Sequence, residues 1–418
     1  MKFTKLSMAA LAVAGFASSA MAMDLSSVTV KPYAQAKLYY EATDLNGNDM
    51  FDKKSAGGQA LLTVGATGKF DSCWGYGFEY MVTDTLGLEN NLVSAVRSGA
   101  GVDTDPLNTQ DWASQAYITY SPCDTILSNT TFKIGRQFLD TPFAFTEKWN
   151  ITRNSFDAIV VLNQDIKNVT LVGAYVGRGN GKFVSVTTAD KFTSYMGTET
   201  YAVGALTKVL PELPINLWYY NIDGVADAAW VDGAYTYKMD ESMNIGLAAQ
   251  YGSIMPDAAG LGDTTGFGVK ASTKIGMFNI MAAYTSVDDD DGTAKIALAN
   301  TATYNPTIFG GKKTKLYTAN IYTDGTAVAV PGSDAFKVGV SAKVDGIGKF
   351  IVNYNSCEND DNNPMHNVDE VDVIYATKVA GINTKFIYMN RDVTEGAVKD
   401  AGLKDDTNHF RVILAKNF

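Results

Sequence analysis

The sequence predicts an all-β fold, a transmembrane antiparallel β-barrel of about eighteen strands, with sixteen as the nearest alternative count. Three observations lead there. Apolar and polar residues alternate with period two through most of the chain; short turns and long polar connections follow one another in turn; and beyond the N-terminus no stretch approaches the ~18 consecutive apolar residues of a spanning helix.

The first element is not part of the fold. Lys2 and Lys5 precede an apolar run from Leu6 to Phe16, and Ala20 to Ala22 supply a small-x-small cleavage site. That order of parts is a secretory signal peptide, so residues 1–22 are expected to be removed. Residues 23–418 contain no Pro/Ser-rich or charge-run boundary and are expected to form a single barrel domain.

The strands then follow in order. In the first, 27 to 42, Tyr33, Gln35, Lys37, Tyr39 and Glu41 fall on one face and Ala34, Ala36, Leu38, Tyr40 and Ala42 on the other. Two faces with different environments are what a period-2 strand presents. Segments 57 to 70, 74 to 85, 111 to 121, 129 to 138, 157 to 165 and 168 to 178 continue the pattern, as do 200 to 209, 214 to 222, 228 to 238 and 242 to 252. In 264 to 275, Phe267, Val269 and Ala271 oppose Gly268, Lys270, Ser272 and Lys274. After 277 to 287 comes 334 to 344, where Phe336, Val338 and Val340 oppose Lys337, Gly339 and Ser341. Segments 348 to 356, 367 to 379, 382 to 391 and 407 to 418 complete the set.

Short connections such as "DSCW" (71 to 74), "PELP" (211 to 214), "DGIG" (345 to 348) and "AGIN" (380 to 383) alternate with long ones at 43 to 56, 86 to 110, 139 to 156, 179 to 199, 253 to 263, 288 to 333, 357 to 366 and 392 to 406. Turns at one rim and long loops at the other mark an outer-membrane barrel. Hydrocarbon offers no hydrogen-bond partner, so a sheet crosses it only when closed on itself. The 288 to 333 segment either folds inward or forms a short external hairpin. Aromatics in "LYYEA", "GFEYM", "LWYYN" and "YTYKM" are expected in the interfacial girdles.

The last segment, "TNHFRVILAKNF", alternates to its final residue, with Phe410, Val412, Leu414 and Lys416 opposing His409, Arg411, Ile413 and Ala415. It is expected to close the barrel against the first strand, near Thr29 to Tyr40, with Phe418 at the periplasmic rim and Lys416 snorkelling to the headgroups.

Composition narrows the function. Asp and Glu outnumber Lys and Arg by 45 to 34, which argues against a nucleic-acid partner. His366 and His409 are the whole histidine supply, and no Ser and acid pair accompanies either, so an enzyme is not expected. "GRGNGK" (177 to 182) lacks the spacing of a phosphate loop. No cofactor is expected. The acidic run Asp288, Asp289, Asp290 and Asp291 is the weak candidate for a structural calcium ion, since that cation takes carboxylate oxygens.

The C-terminal stretch resembles the terminal aromatic signal of outer-membrane barrels. A second stretch is more particular: "FKIGRQFLDTPFAFTEKWNITRNSFDAIVVLNQDIKNVTLVGAYVGR" (132 to 178), through Gly135, Gln137, Thr141, Pro142, Arg153 and Phe156, resembles the segment of OprD-like porins in which a Gly-x-Gln strand end leads into an inward-folded loop. The neighbouring major-outer-membrane-porin group is similar in plan. The resemblance implies an eighteen-stranded Gram-negative outer-membrane porin for passive diffusion of small hydrophilic solutes and ions. It further implies a constriction by the loop near 139–156.

Charges in and beside that loop, Arg136, Asp140, Glu147, Lys148, Arg153 and Asp157, are the expected constriction, because opposed charges across a narrow gap order water and select solutes. Lys37, Glu41, Lys270, Lys337 and Arg411 are expected to line the pore, since a charge facing lipid at mid-depth costs about 2–4 kcal/mol. Cys73 and Cys123, in adjacent periplasmic turns, are expected to form a disulfide, leaving Cys357 alone in an external loop. Outer-membrane lipid and lipopolysaccharide, small hydrophilic solutes and a homotrimer are the expected partners. The competing reading is a plugged structural or adhesive surface barrel without an open channel.

Overall fold

A computed structural model describes residues 28–44, 47, 49–93, 110–123, 127, 129–148, 151–180, 191–240, 242–289, 296–300, 313–359, 367–393 and 406–418. The expected signal peptide, His366, Asp290 and Asp291 lie outside these residues.

The wall is built from β1 (Thr29–Thr43), β2 (Ala56–Lys69), β3 (Trp74–Asp84), β4 (Gln110–Tyr120), β5 (Thr130–Gln137), β6 (Phe156–Asn163), β7 (Val169–Gly179), β9 (Thr200–Leu210), β10 (Leu213–Ile222), β11 (Ala226–Lys238), β12 (Met243–Pro256), β13 (Thr264–Ile275), β14 (Phe278–Asp289), β15 (Ser333–Val344), β16 (Gly348–Asn359), β17 (Val368–Val379), β18 (Ile382–Val393) and β19 (Asp406–Asn417). These are the eighteen strands the alternation predicts. The sequence reading lacks only β8 (Thr193–Ser194), which pairs with the end of β7. Every neighbouring pair is antiparallel, and β7 pairs directly with β9. The sheet closes through β1 and β19, from Gln35↔Asn417 to Thr43↔His409. Joining β1 to β19 removes the open sheet edge, whose unpaired N–H and C=O groups lipid could not satisfy.

The closing strand behaves as its pattern suggests. Phe418 N–H donates to Ala34 O at 2.9 Å, and Ala34 N–H to Phe418 O at 3.3 Å. Lys416 reaches the carbonyl of Gly381, in the turn between β17 and β18, at 3.3 Å. One connection departs from the expected rotation: β10 and β11 are joined on the long-loop rim by three residues, 223–225, with Gly224 at φ +66°.

Alternation sorts the wall into an outer apolar face, with Phe267, Val269, Phe336 and Val340 exposed, and an inner face carrying most of the charge. The aromatic expectation is corrected in part. Tyr219, Tyr235 and Tyr237 point outward, whereas Tyr39, Trp218 and Tyr220 are buried inside, because strand parity overrides proximity to a strand end.

Cys73 and Cys123 are joined by a disulfide with Cα atoms 5.4 Å apart. Cys357 is not in an external loop: β16 runs to Asn359, three residues further than its pattern indicates, and places Cys357 buried on the inner face.

Candidate functional site

Two segments leave the wall and fold into the lumen. The first, described over 138–148 and 151–155, departs from β5 at a backbone position that requires glycine. Gly135 has φ +122°, and a Cβ there would meet Ala116 O at 2.4 Å. Two residues on, the buried Gln137 amide donates to Lys133 O, Gly135 O and Ala158 O, at 3.2, 3.2 and 3.0 Å. These bonds satisfy carbonyls where the chain abandons its ladder, which a buried strand end otherwise leaves costly. The Thr141 hydroxyl donates to Ala144 O at 2.8 Å, shaping the bend at Pro142.

That bend drives Phe143 edge-on into Tyr220 and Trp230, with ring centroids 5.6 and 5.5 Å away. Gly252 keeps room for this contact, since a Cβ there would lie 2.7 Å from the Trp230 ring. On the opposite side Lys37 Nζ donates to Ile151 O at 3.0 Å. Arg153 stacks on Phe138 at 4.3 Å and donates to both oxygens of Glu79, on β3, at 3.0 and 3.1 Å. The first segment therefore reaches from β1 and β3 on one side to β10 and β11 on the other.

The second segment comes from the 288 to 333 connection, whose two readings the structure decides in favour of inward folding: residues 296–300 and 313–332 lie inside, with Ile296, Leu298, Leu316, Ala327, Val328 and Ala329 buried. Residues 317–323 run along the inner wall. The Tyr317 hydroxyl donates to Ala249 O on β12 at 3.3 Å, and its ring lies under Lys270 of β13. The Thr318 hydroxyl meets that of Thr285 on β14 at 2.6 Å. Lys337 of β15 donates to Ala319 O, and Asn355 of β16 to Thr318 O at 2.7 Å. The N–H groups of Tyr322 and Thr323 both reach the buried Glu370 carboxylate of β17. The Tyr322 hydroxyl donates to Glu41 on β1, beside Arg411 and His409 of β19. Within the segment Lys313 pairs with Asp324 at 2.8 Å. Burial pushes the Asp324 carboxyl above its ordinary range, and Lys313 opposes that shift.

The two segments meet at Asn300. Its amide donates to Phe145 O and to Glu147 Oε1, both at 2.8 Å, and its oxygen accepts from Phe145 N–H at 3.0 Å. Lys315 pairs with Asp140 across the same junction and lies over the Phe145 ring.

The six expected constriction charges thus separate into two groups. Asp140, Glu147, Lys148 and Arg153 belong to the inward segment. Arg136 and Asp157 do not: they are cross-strand partners paired at 2.8 Å, with Arg178 at 2.9 Å from the same carboxylate. Asp157 shares the side of Ile159, which is exposed, and is opposite to Phe156 and Ala158, which enter the core. The pair stitches the wall where the loop departs; the Arg136 guanidinium also donates to Ala113 O at 3.0 Å and stacks on Phe192.

Lys37, Glu41, Lys270, Lys337 and Arg411 all face inward, and each is engaged with an internal segment or with another buried charge. Asp288 and Asp289 end β14. Sequence reasoning passed over Glu79, Glu370, Asp372, Asn300 and Lys315. The three carboxylates were within reach, since each stands at an inward parity of its strand.

The family model of the Campylobacter major outer membrane protein matches residues 1–416. Among solved structures the barrel is similar to Pseudomonas aeruginosa OccK9 (OpdG), with TM-score 0.70, 13% identity and coverage of 94% of this chain and 98% of that one. It is also similar to Pseudomonas aeruginosa OccK1 (OpdK), with TM-score 0.69, 12% identity and coverage of 93% and 98%. Acinetobacter baumannii OccAB2 gives TM-score 0.67, 14% identity and coverage of 93% and 98%. At such identities the likeness is one of fold. No curated protein matches the sequence.

Proposed function

The chain belongs to the Campylobacter major outer membrane protein family, and from that premise we propose that it is an outer-membrane porin whose water-filled lumen is narrowed by two internal segments, not one. Small hydrophilic solutes and ions diffuse passively through it, without catalysis. The observation that carries this reading is the Asn300 junction, which fixes the first segment to the second inside a closed wall.

Asp140, Lys315, Lys148 and Arg153 supply the charges closest to the gap, with Glu147 held behind them by Asn300. Lys37, Glu41, Lys337 and Arg411 act by holding the segments in place, and Arg136 and Asp157 by holding the wall. Opposed charges fixed in this way favour small polar or zwitterionic solutes over apolar ones of equal size. The outward apolar face fits lipid and lipopolysaccharide acyl chains, and a homotrimer is part of the same proposal. Liposome swelling tests the reading: vesicles carrying the protein should admit amino acids and monosaccharides and exclude large oligosaccharides. Swelling no faster than empty vesicles favours the plugged-barrel alternative.

A further inference from the structure

The inner face of the barrel is charged differently at its two ends. On β15 to β18, Lys343, Lys349, Lys378 and Lys385 occupy inward positions near the short-turn rim. Their parity is fixed by their neighbours: Phe336, Phe350, Val373 and Phe386 are exposed on the outer face, while Ala335, Asn355, Glu370 and Met389 are buried inside. Lys343 and Lys349 are direct cross-strand partners. Lys349 and Lys385 flank Ala376 on the next strand pairs, and Lys378 is the following inward residue of β17.

Like charges placed opposite each other across a sheet are destabilising. None of the four has an ion-pair partner among the described residues, and Asp345, in the turn that joins β15 to β16, pairs with none of them. On the inner face of these strands the carboxylates are Glu370 and Asp372, which stand with Lys337 and Arg391 in the half nearer the long loops, while Asp334, Glu358, Asp369 and Asp392 face outward in that same half. In a chain of net charge −11 this segregation does not follow from composition. Lys31 and Lys69 carry the arc onto the periplasmic ends of β1 and β2.

We propose that this arc is a binding site for soluble polyanions, bearing several phosphate or carboxylate groups, at the periplasmic mouth. Four ammonium groups at nearly one level match a ligand with several negative charges within about one Debye length, ~10 Å at 0.1 M salt. Because the side chains point into the lumen, a solute reaches them and a bilayer headgroup does not. The proposal deepens the porin reading by adding a sided anion site, but the test below does not need conduction.

The test is calorimetric titration of the full chain in a phosphate-free maltoside detergent with inorganic tripolyphosphate at low salt. Saturable binding is expected, weakened at least about tenfold between 50 and 200 mM salt by counterion screening. The K343Q/K349Q variant should bind about fivefold more weakly or worse, and K378Q/K385Q likewise. K53Q/K54Q, on the opposite rim, should bind as the parent does. Short-chain phosphatidylglycerol should not compete. Unchanged binding in both inner pairs overturns the proposal, as does an equal loss in K53Q/K54Q. Full competition by the lipid would reassign the site to headgroups. A channel that fails to conduct but passes this titration leaves the inference standing.

Discussion

Replacing Asn300 by alanine is the sharpest probe of the two-segment constriction. The substitution deletes two donated hydrogen bonds and one accepted bond between the segments. Two involve backbone groups and are worth about 1 kcal/mol each, and the bond to the Glu147 carboxylate about 1.5–3 kcal/mol. Water can reach part of the junction once it loosens, so the net loss is about 3 kcal/mol, not the sum of the upper values. That is about a hundredfold shift in the equilibrium between docked and undocked segments. Single-channel recordings should therefore show frequent excursions to a higher conductance level that the parent visits rarely. N300D should do at least as much, since it sets a second carboxylate against Glu147 and the Phe145 carbonyl. Traces from N300A with the parent's conductance and noise would refute the coupling of the segments through this residue.

Four further outcomes follow from the same contacts. R153A removes the cation paired with Glu79, so the reversal potential in an about tenfold KCl gradient should move toward the potassium potential; movement toward chloride contradicts the assigned role. E41A leaves Arg411 buried without its carboxylate at the β1–β19 seam and should cost about 3–5 kcal/mol in urea unfolding from lipid. C73S/C123S opens a loop of sequence separation 50 and should lower stability by about 2–4 kcal/mol without changing conductance. G135A should impair assembly of the whole channel, read as loss of folded protein in the membrane fraction, because its Cβ has no space against Ala116 O.

The wall was legible because lipid and lumen impose opposite demands on successive residues. Strands such as "GFGVKASTKI" carry that demand from Phe267 to Ala271 and again at Lys274 and Ile275. The second internal segment was not legible, because "KIALA" and "TAVAV" are apolar without a period. Ile296 to Ala299 and Ala327 to Ala329 are buried against the other segment and the inner wall, and no local pattern distinguishes that from an external hairpin. Arg136 and Asp157 stand beside the inward loop on strand positions, where nearness to a loop does not fix which face a side chain takes. Their parity with Ile134 and Ile159 already pointed outward. Glu370 and Asp372, by contrast, alternate inward in "VDEVDVIY", a signal the sequence does carry.

The claim beneath all of this is that a continuous aqueous path passes between the two segments. Conductance of the purified wild-type protein in a planar lipid bilayer measures it directly. The account predicts discrete upward current steps of uniform size, each from one inserted channel, reduced by neutral polymers small enough to enter the gap. A bilayer that takes up the folded protein and shows no steps would contradict it.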